Sequence, residues 1–242
     1  MQINLLIKSL LEYGLKRKFI HEDDYLYVLN GLLSCFQLKE FEEPELFEPL
    51  IESLDEILDG MLNYAINEKI IENSVIEKDL FDTKIMGYIT PLPSMINQKF
   101  YQLYKKDSTL ALQYFYQLCC DTNYIRLSRI KKDIHFQYPS SYGNLDISIN
   151  LSKPEKDPND IKKLLTQKNS SYPKCMLCKE NINYEGRLNF PARQNLRYIP
   201  ITLNQESFYL QYSPYSYYPE HAIVFSNEHK PMLVDIEAVK NC

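Results

Sequence analysis

The sequence predicts an α+β fold, with a helical region over residues 1–120 and an antiparallel, β-rich region over 121–242. Three observations carry that reading. Apolar residues recur at helical spacing before residue 120. Period-two alternation replaces that spacing afterwards. Pro- and Lys-rich loops, notably residues 152–158, separate the alternating segments.

Leu5, Leu6, Ser9, Leu10, Tyr13 and Leu15 give the first helix its face. Residues 25–36 continue the pattern behind Glu22-Asp23-Asp24, whose carboxylates complement a helix N-terminus. The acidic stretch 39–82 reads as a solvated helical face. Ser53 and Glu56 have capping-box spacing, with a helix running from Pro49 through Ser53 as the alternative. Pro91 and Pro93 bound a short linker, and Ser108 is expected to cap a helix through Leu110, Leu112, Phe115, Tyr116 and Leu118. Residues 145–151, 197–203, 207–212 and 221–225 read as strands, with Asn204-Gln-Glu206 as a hairpin loop. Pro200, which cannot donate to a ladder, places its strand at an edge or a bulge. Residues 236–242 begin another helix and are expected to stop short of its end.

With 242 residues, 45% of them apolar, the chain can bury a sizeable core. A net charge of −5 gives no reason to expect nucleic acid or an anionic membrane as partner. The N-terminal residues lack a secretory pattern, and no apolar run approaches the ~20 residues that span a bilayer, so the expected location is the cytoplasm. In that compartment the six cysteines are thiols or metal ligands. The 20 tyrosines, with no tryptophan, suit half-buried surfaces and ligand pockets.

Cys175-Met-Leu-Cys178 is the sharpest chemical signal. Two intervening residues let both thiolates reach one ion, and His229 is the best third ligand in the sequence. Spacing alone leaves three readings open: a zinc or iron site, a structural cysteine pair, and a redox pair. The last lacks its usual strand–helix–strand setting. Arg126 and Arg129 lie one turn apart if helical and could hold phosphate oxygens with forked donors. Pro191-Ala-Arg-Gln-Asn195-Leu-Arg197 concentrates further donors, although solvation is the plainer role for each arginine alone. His221 reads more simply as a hydrogen-bonded strand-end residue than as a ligand. The stiff segment Ser213-Pro-Tyr-Ser-Tyr-Tyr-Pro219 could line a nucleoside or sugar pocket, or cover the sheet. No P-loop, Gly-x-Gly-x-x-Gly, His-Glu-x-x-His or Gly-x-Ser-x-Gly motif is present.

A series of strings, in order, resembles class II galactose-1-phosphate uridylyltransferases. They are Asp121-Thr-Asn-Tyr-Ile-Arg126, Ile147-Ser-Ile-Asn-Leu-Ser-Lys-Pro-Glu-Lys-Asp-Pro158, Ser170-Ser-Tyr-Pro-Lys-Cys-Met-Leu-Cys178, Gly186-Arg-Leu-Asn with Pro191-Ala-Arg-Gln-Asn195, Gln211-Tyr-Ser-Pro-Tyr, and Tyr218-Pro-Glu-His-Ala-Ile-Val-Phe-Ser-Asn-Glu-His229. The resemblance implies a histidine-triad-like antiparallel sheet, here partial. It also implies transfer of uridine monophosphate from UDP-glucose to galactose 1-phosphate through a uridylyl-histidine. Cys175, Cys178 and His229 match metal ligands, with zinc or iron as the ion. Arg126 and Arg129 match arginines that approach the nucleotide phosphates, and Asn195 falls near the uridine-binding strand.

The chain's histidines are His21, His135, His221 and His229, so the family's His-x-His-x-Gln nucleophile motif, which would also supply a fourth metal ligand, is absent. The resemblance therefore implies the N-terminal part of an enzyme, inactive by itself and calling for a complementing C-terminal half. A non-catalytic nucleotide-sugar-binding module, or a metal-stapled interaction module, is the alternative.

Overall fold

The computed structural model describes residues 2–45, 49–149, 151, 166, 170–215, 218 and 220–230. Seven helices precede two small antiparallel sheets among them, which is an α+β arrangement. No helix there is long and apolar enough to cross a membrane. The chain divides into two compact units, each drawn from separated segments. The expected helix over 236–242 and the loop over 152–158 lie outside the described residues.

The first unit takes most of its described residues from those up to 91, joined by Asn183–Asn195. Its helices are α1 (Ile3–Lys16), α2 (Tyr25–Cys35), α3 (Leu54–Asn67) and α4 (Val75–Ile89). Helix α1 buries Leu6, Ile7, Leu10 and Leu11, while α3 contributes Ile57 and Met61 and α4 contributes Ile85 and Met86. Phe36, just past α2, meets Tyr64 and Phe81 edge-on, with ring centroids 6.0 and 5.4 Å away. These offset geometries suit the ring quadrupoles.

Ser53 does cap α3, its Oγ accepting from the Glu56 N–H at 3.4 Å. Ser9 is buried and polar because its Oγ accepts from the Ile51 N–H at 3.0 Å. The described acidic residues from Glu40 to Glu72 are exposed, as expected of a solvated face, whereas Asp82 is buried. The first part of the acidic stretch is not helical, however, and helix resumes only at Leu54. Clustered glutamates with Pro44 among them disfavour a helix there, and Lys8 pairs with Glu43 instead.

The second unit draws on residues 92–151, 170–182 and 196–230. Helices α5 (Pro93–Tyr104) and α6 (Ser108–Asp121) pack together through Phe100 and Phe115, 6.2 Å between centroids. The linker prediction ends early, since Pro93 is already the first residue of α5, where its missing N–H costs no hydrogen bond. The cap of α6 is Asp107 rather than Ser108, its carboxylate accepting from the Thr109 N–H at 2.7 Å. A single turn, α7 (Leu127–Ile130), leads to the hairpin β1 (Ile134–Ser140) and β2 (Gly143–Ile149).

Strands β3 (Ile199–Leu203), β4 (Glu206–Tyr212) and β5 (Ala222–Ser226) form a sheet in that spatial order. Asn204 and Gln205 make the β3–β4 turn, both left-handed at φ 47° and 68°, as a twist-matched two-residue hairpin turn requires. Among the described residues β3 is an edge strand, which accommodates Pro200. Tyr212 anchors the sheet on α6: its ring lies 5.4 Å from Phe115 and 5.1 Å from Tyr116, and its hydroxyl donates to the Leu112 carbonyl at 3.2 Å.

Burial governs the alkaline stability of both units. It pushes the Cys35 and Cys120 thiols from their usual 9.0 to about 11, and raises Cys119 well above its usual value. Unfolded thiols ionise near pH 9, whereas the folded ones hold their protons. Their stabilisation is therefore complete below pH 9 and lost as pH rises toward 11, at up to about 1.4 kcal/mol per pH unit for each group. Urea midpoints are expected to fall steeply between pH 9 and 11, and flat midpoints across that window would contradict this.

Candidate metal centre

The segment around Cys175 and Cys178 has almost no regular structure, so side chains must satisfy its backbone. The Cys178 N–H reaches back to the Cys175 carbonyl at 3.3 Å, which folds the four residues into a tight turn. Fully buried Asn181 then clamps it: its Nδ2 donates to the Cys175 carbonyl at 2.8 Å and to the Cys178 carbonyl at 2.7 Å. Tyr198, just before β3, donates its hydroxyl to the Cys178 carbonyl at 3.3 Å. The Tyr198 ring packs against Phe225 of β5 at 5.0 Å, so the turn is tied to the sheet.

β5 ends at Ser226, and three residues later the chain presents His229. Lys179 supports that approach by donating to Asn227 at 3.0 Å. The Cys175 and Cys178 sulfurs lie 3.4 Å apart, and His229 Nδ1 is 3.2 Å from the Cys178 sulfur. All three ligand atoms lie within 4.8 Å of one another. Tetrahedral zinc would separate two sulfurs by roughly 3.7 Å, and a sulfur and a nitrogen by roughly 3.5 Å, so the set fits with small adjustments. Two thiols and an imidazole are also a donor set that zinc or iron favours. Cys178 is buried and His229 exposed, so one side of the cluster faces outward. Burial, with the hydrogen bond from Cys175, raises the Cys178 thiol above its usual range, and an incoming cation would have to displace that proton.

The other expected site residues are placed as follows. Arg126 caps α7 and Arg129 lies within it, one turn on, both half-buried. Asn195 is buried at the end of the segment Asn183–Asn195 in the first unit. Arg197 is no surface donor: it is 5% exposed, donates to the Leu196 carbonyl at 2.7 Å, and burial pulls it down to about 10. His221 precedes β5, and its carbonyl accepts from the Ser213 N–H at 2.8 Å. In the tyrosine-rich segment Ser213 Oγ caps a small turn by donating to the Tyr215 carbonyl, while residues 216, 217 and 219 lie outside the described set. Asn181 escaped the sequence reading. The signal was its position three residues after the second cysteine, where a short amide side chain can bond neighbouring backbone.

The family model for the galactose-1-phosphate uridyl transferase N-terminal domain matches residues 22–231. The chain belongs to that family. A galactose-1-phosphate uridylyltransferase of Clostridium acetobutylicum is 47% identical over 232 residues, 96% of this chain and 46% of the relative. One of Fusobacterium nucleatum is 45% identical over 97% of this chain and 46% of the relative. One of Butyrivibrio fibrisolvens is 45% identical over 95% of this chain and 59% of the relative. The chain thus spans about half the length of these uridylyltransferases. No solved structure matches it significantly.

Proposed function

We propose that this chain is the N-terminal part of a cytoplasmic UDP-glucose–hexose-1-phosphate uridylyltransferase, and that it holds the enzyme's metal centre. The observation that carries the reading is the meeting of Cys175, Cys178 and His229, across 51 residues of sequence, at the three positions the family resemblance assigns to metal ligands. When bound, zinc would lock the cysteine turn to the end of β5 and supply structural rigidity. The fourth ligand and the nucleophilic histidine would come from a complementing C-terminal half.

In the reaction so proposed, an imidazole nitrogen attacks the α-phosphorus of UDP-glucose. A P–N bond forms, the bond from that phosphorus to the bridging oxygen breaks, and glucose 1-phosphate leaves with the electron pair. Galactose 1-phosphate then attacks the same phosphorus and frees the histidine as UDP-galactose forms. Arg126 and Arg129 would offer forked donors to the phosphate oxygens, where negative charge is crowded throughout. Asn195 would assist on the uridine side.

The test is incubation of the purified chain with UDP-glucose labelled in the uridylyl group. No covalent label is expected on the chain alone. Label is expected on the complementing half when the two are co-expressed, and acid-labile loss of it would identify a phosphoramidate. Covalent label on this chain by itself would overturn the proposal.

A further inference from the structure

Strands β1 and β2 pair from Ile134↔Ile149 to Ser140↔Gly143. In that register Ile134, Phe136 and Tyr138 stand opposite Ile149, Ile147 and Leu145, so all six side chains share one face. The opposite face carries His135, Gln137, Asp146 and Ser148, and Gln137 donates to Asp146 at 2.9 Å. The hairpin is thus amphipathic, yet its apolar face is open. Ile134, Phe136, Tyr138, Leu145 and Ile149 are 45–58% exposed. Among the described residues these two strands are the whole of their sheet, and no other element packs extensively on either. An isolated two-stranded hairpin is marginal in water and needs its apolar face covered. The exposed apolar area is on the order of 500 Å², the upper end for a monomer's largest patch.

We infer that this face docks the polypeptide corresponding to the C-terminal half of the uridylyltransferase relatives, which covers the six side chains with an apolar, strand-forming surface. The inference rests on the proposed function, since it takes the complementing half as real. Two observations select that occupant. The C. acetobutylicum relative matches over only 46% of its length, so at least as much polypeptide again accompanies the matched region there. Among the described residues no strand pairs with the outer edges of β1 and β2, whose backbone groups an incoming strand would satisfy.

The test co-expresses the tagged full chain with the part of the C. acetobutylicum enzyme that follows its matched 232 residues. Equimolar capture is expected. The double variant Phe136→Glu with Leu145→Glu is expected to capture at least tenfold less, and Tyr138→Ser severalfold less. His135→Gln on the polar face should stay within twofold of the parent. Unchanged helical circular dichroism and melting of each variant would separate lost docking from lost folding. Equal capture by a folded double variant would overturn the docking surface and leave the fragment reading standing. No capture by the parent chain would overturn both. A dimer of the parent chain alone in sedimentation, abolished by the double variant, would assign the face to a second copy and overturn the inference.

Discussion

Replacing Cys178 with serine is expected to strip the chain of bound zinc and lower its melting temperature by about 10 °C, or ~3–5 kcal/mol. The parent chain, purified from zinc-supplemented cells, is expected to hold about one ion. Serine keeps the turn but offers a poor zinc ligand, so below ~0.1 ion per chain is expected by atomic emission. The loss is large because the cluster closes a long loop. His229 and Cys178 are 51 residues apart, and without a shared ion the ties from the turn to the end of β5, among the described residues, are the thiol–imidazole contact, the Lys179–Asn227 hydrogen bond and the packing of Tyr198 on Phe225. A chelator should lower the melting of the parent chain by a similar amount and leave the variant unchanged. Equal melting of the two proteins in excess zinc would mean that the cysteines fill a purely packing role.

Replacing Gly186 with alanine is expected to cost ~2–5 kcal/mol, read as a fall in the urea midpoint without metal loss. Gly186 sits at φ +80°, a left-handed conformation that a β-carbon disfavours. That carbon would also lie 2.4 Å from the Ala192 nitrogen and 2.6 Å from both the Ala192 Cα and a Leu80 methyl. Leu80 could shift, but the backbone at Ala192 has little freedom. Arg187 and Phe190 exchange two 2.8 Å backbone hydrogen bonds, and the Arg193 N–H donates to the Tyr184 carbonyl at 2.7 Å. Stability within ~0.5 kcal/mol of the parent would show that this loop shifts freely, contrary to those bonds.

What the sequence revealed, and what it hid, follows from how local each cause is. Ser53 was legible as a cap because its hydroxyl meets an N–H three residues on. Ser108 was misread because Asp107, one residue earlier, offers a charged acceptor to the same orphan N–H groups. β1 went unread although Ile134, Phe136 and Tyr138 alternate, since Pro139 argues against a strand and only an edge strand tolerates it. The cysteine pair declared itself within four residues. His229 joined it because β5 is short and ends beside the cysteine turn, a distance set by tertiary packing. Arg197 looked like a surface donor in sequence, but its burial beside Leu196 and Cys119 is a property of the folded unit alone.

The interleaving of the two units sets a timetable for synthesis. Helices α1–α4 leave the ribosome long before Asn183–Asn195, where Gln194 closes over Gly87 so tightly that a β-carbon there would lie 2.5 Å from it. The cysteine turn likewise emerges ahead of its histidine. At roughly 5–20 residues per second, the 51 residues between Cys178 and His229 take about 3–10 s to appear. For that interval the nascent chain carries an adjacent thiol pair without its imidazole, exposed to ions and oxidants of the cell before β5 has formed.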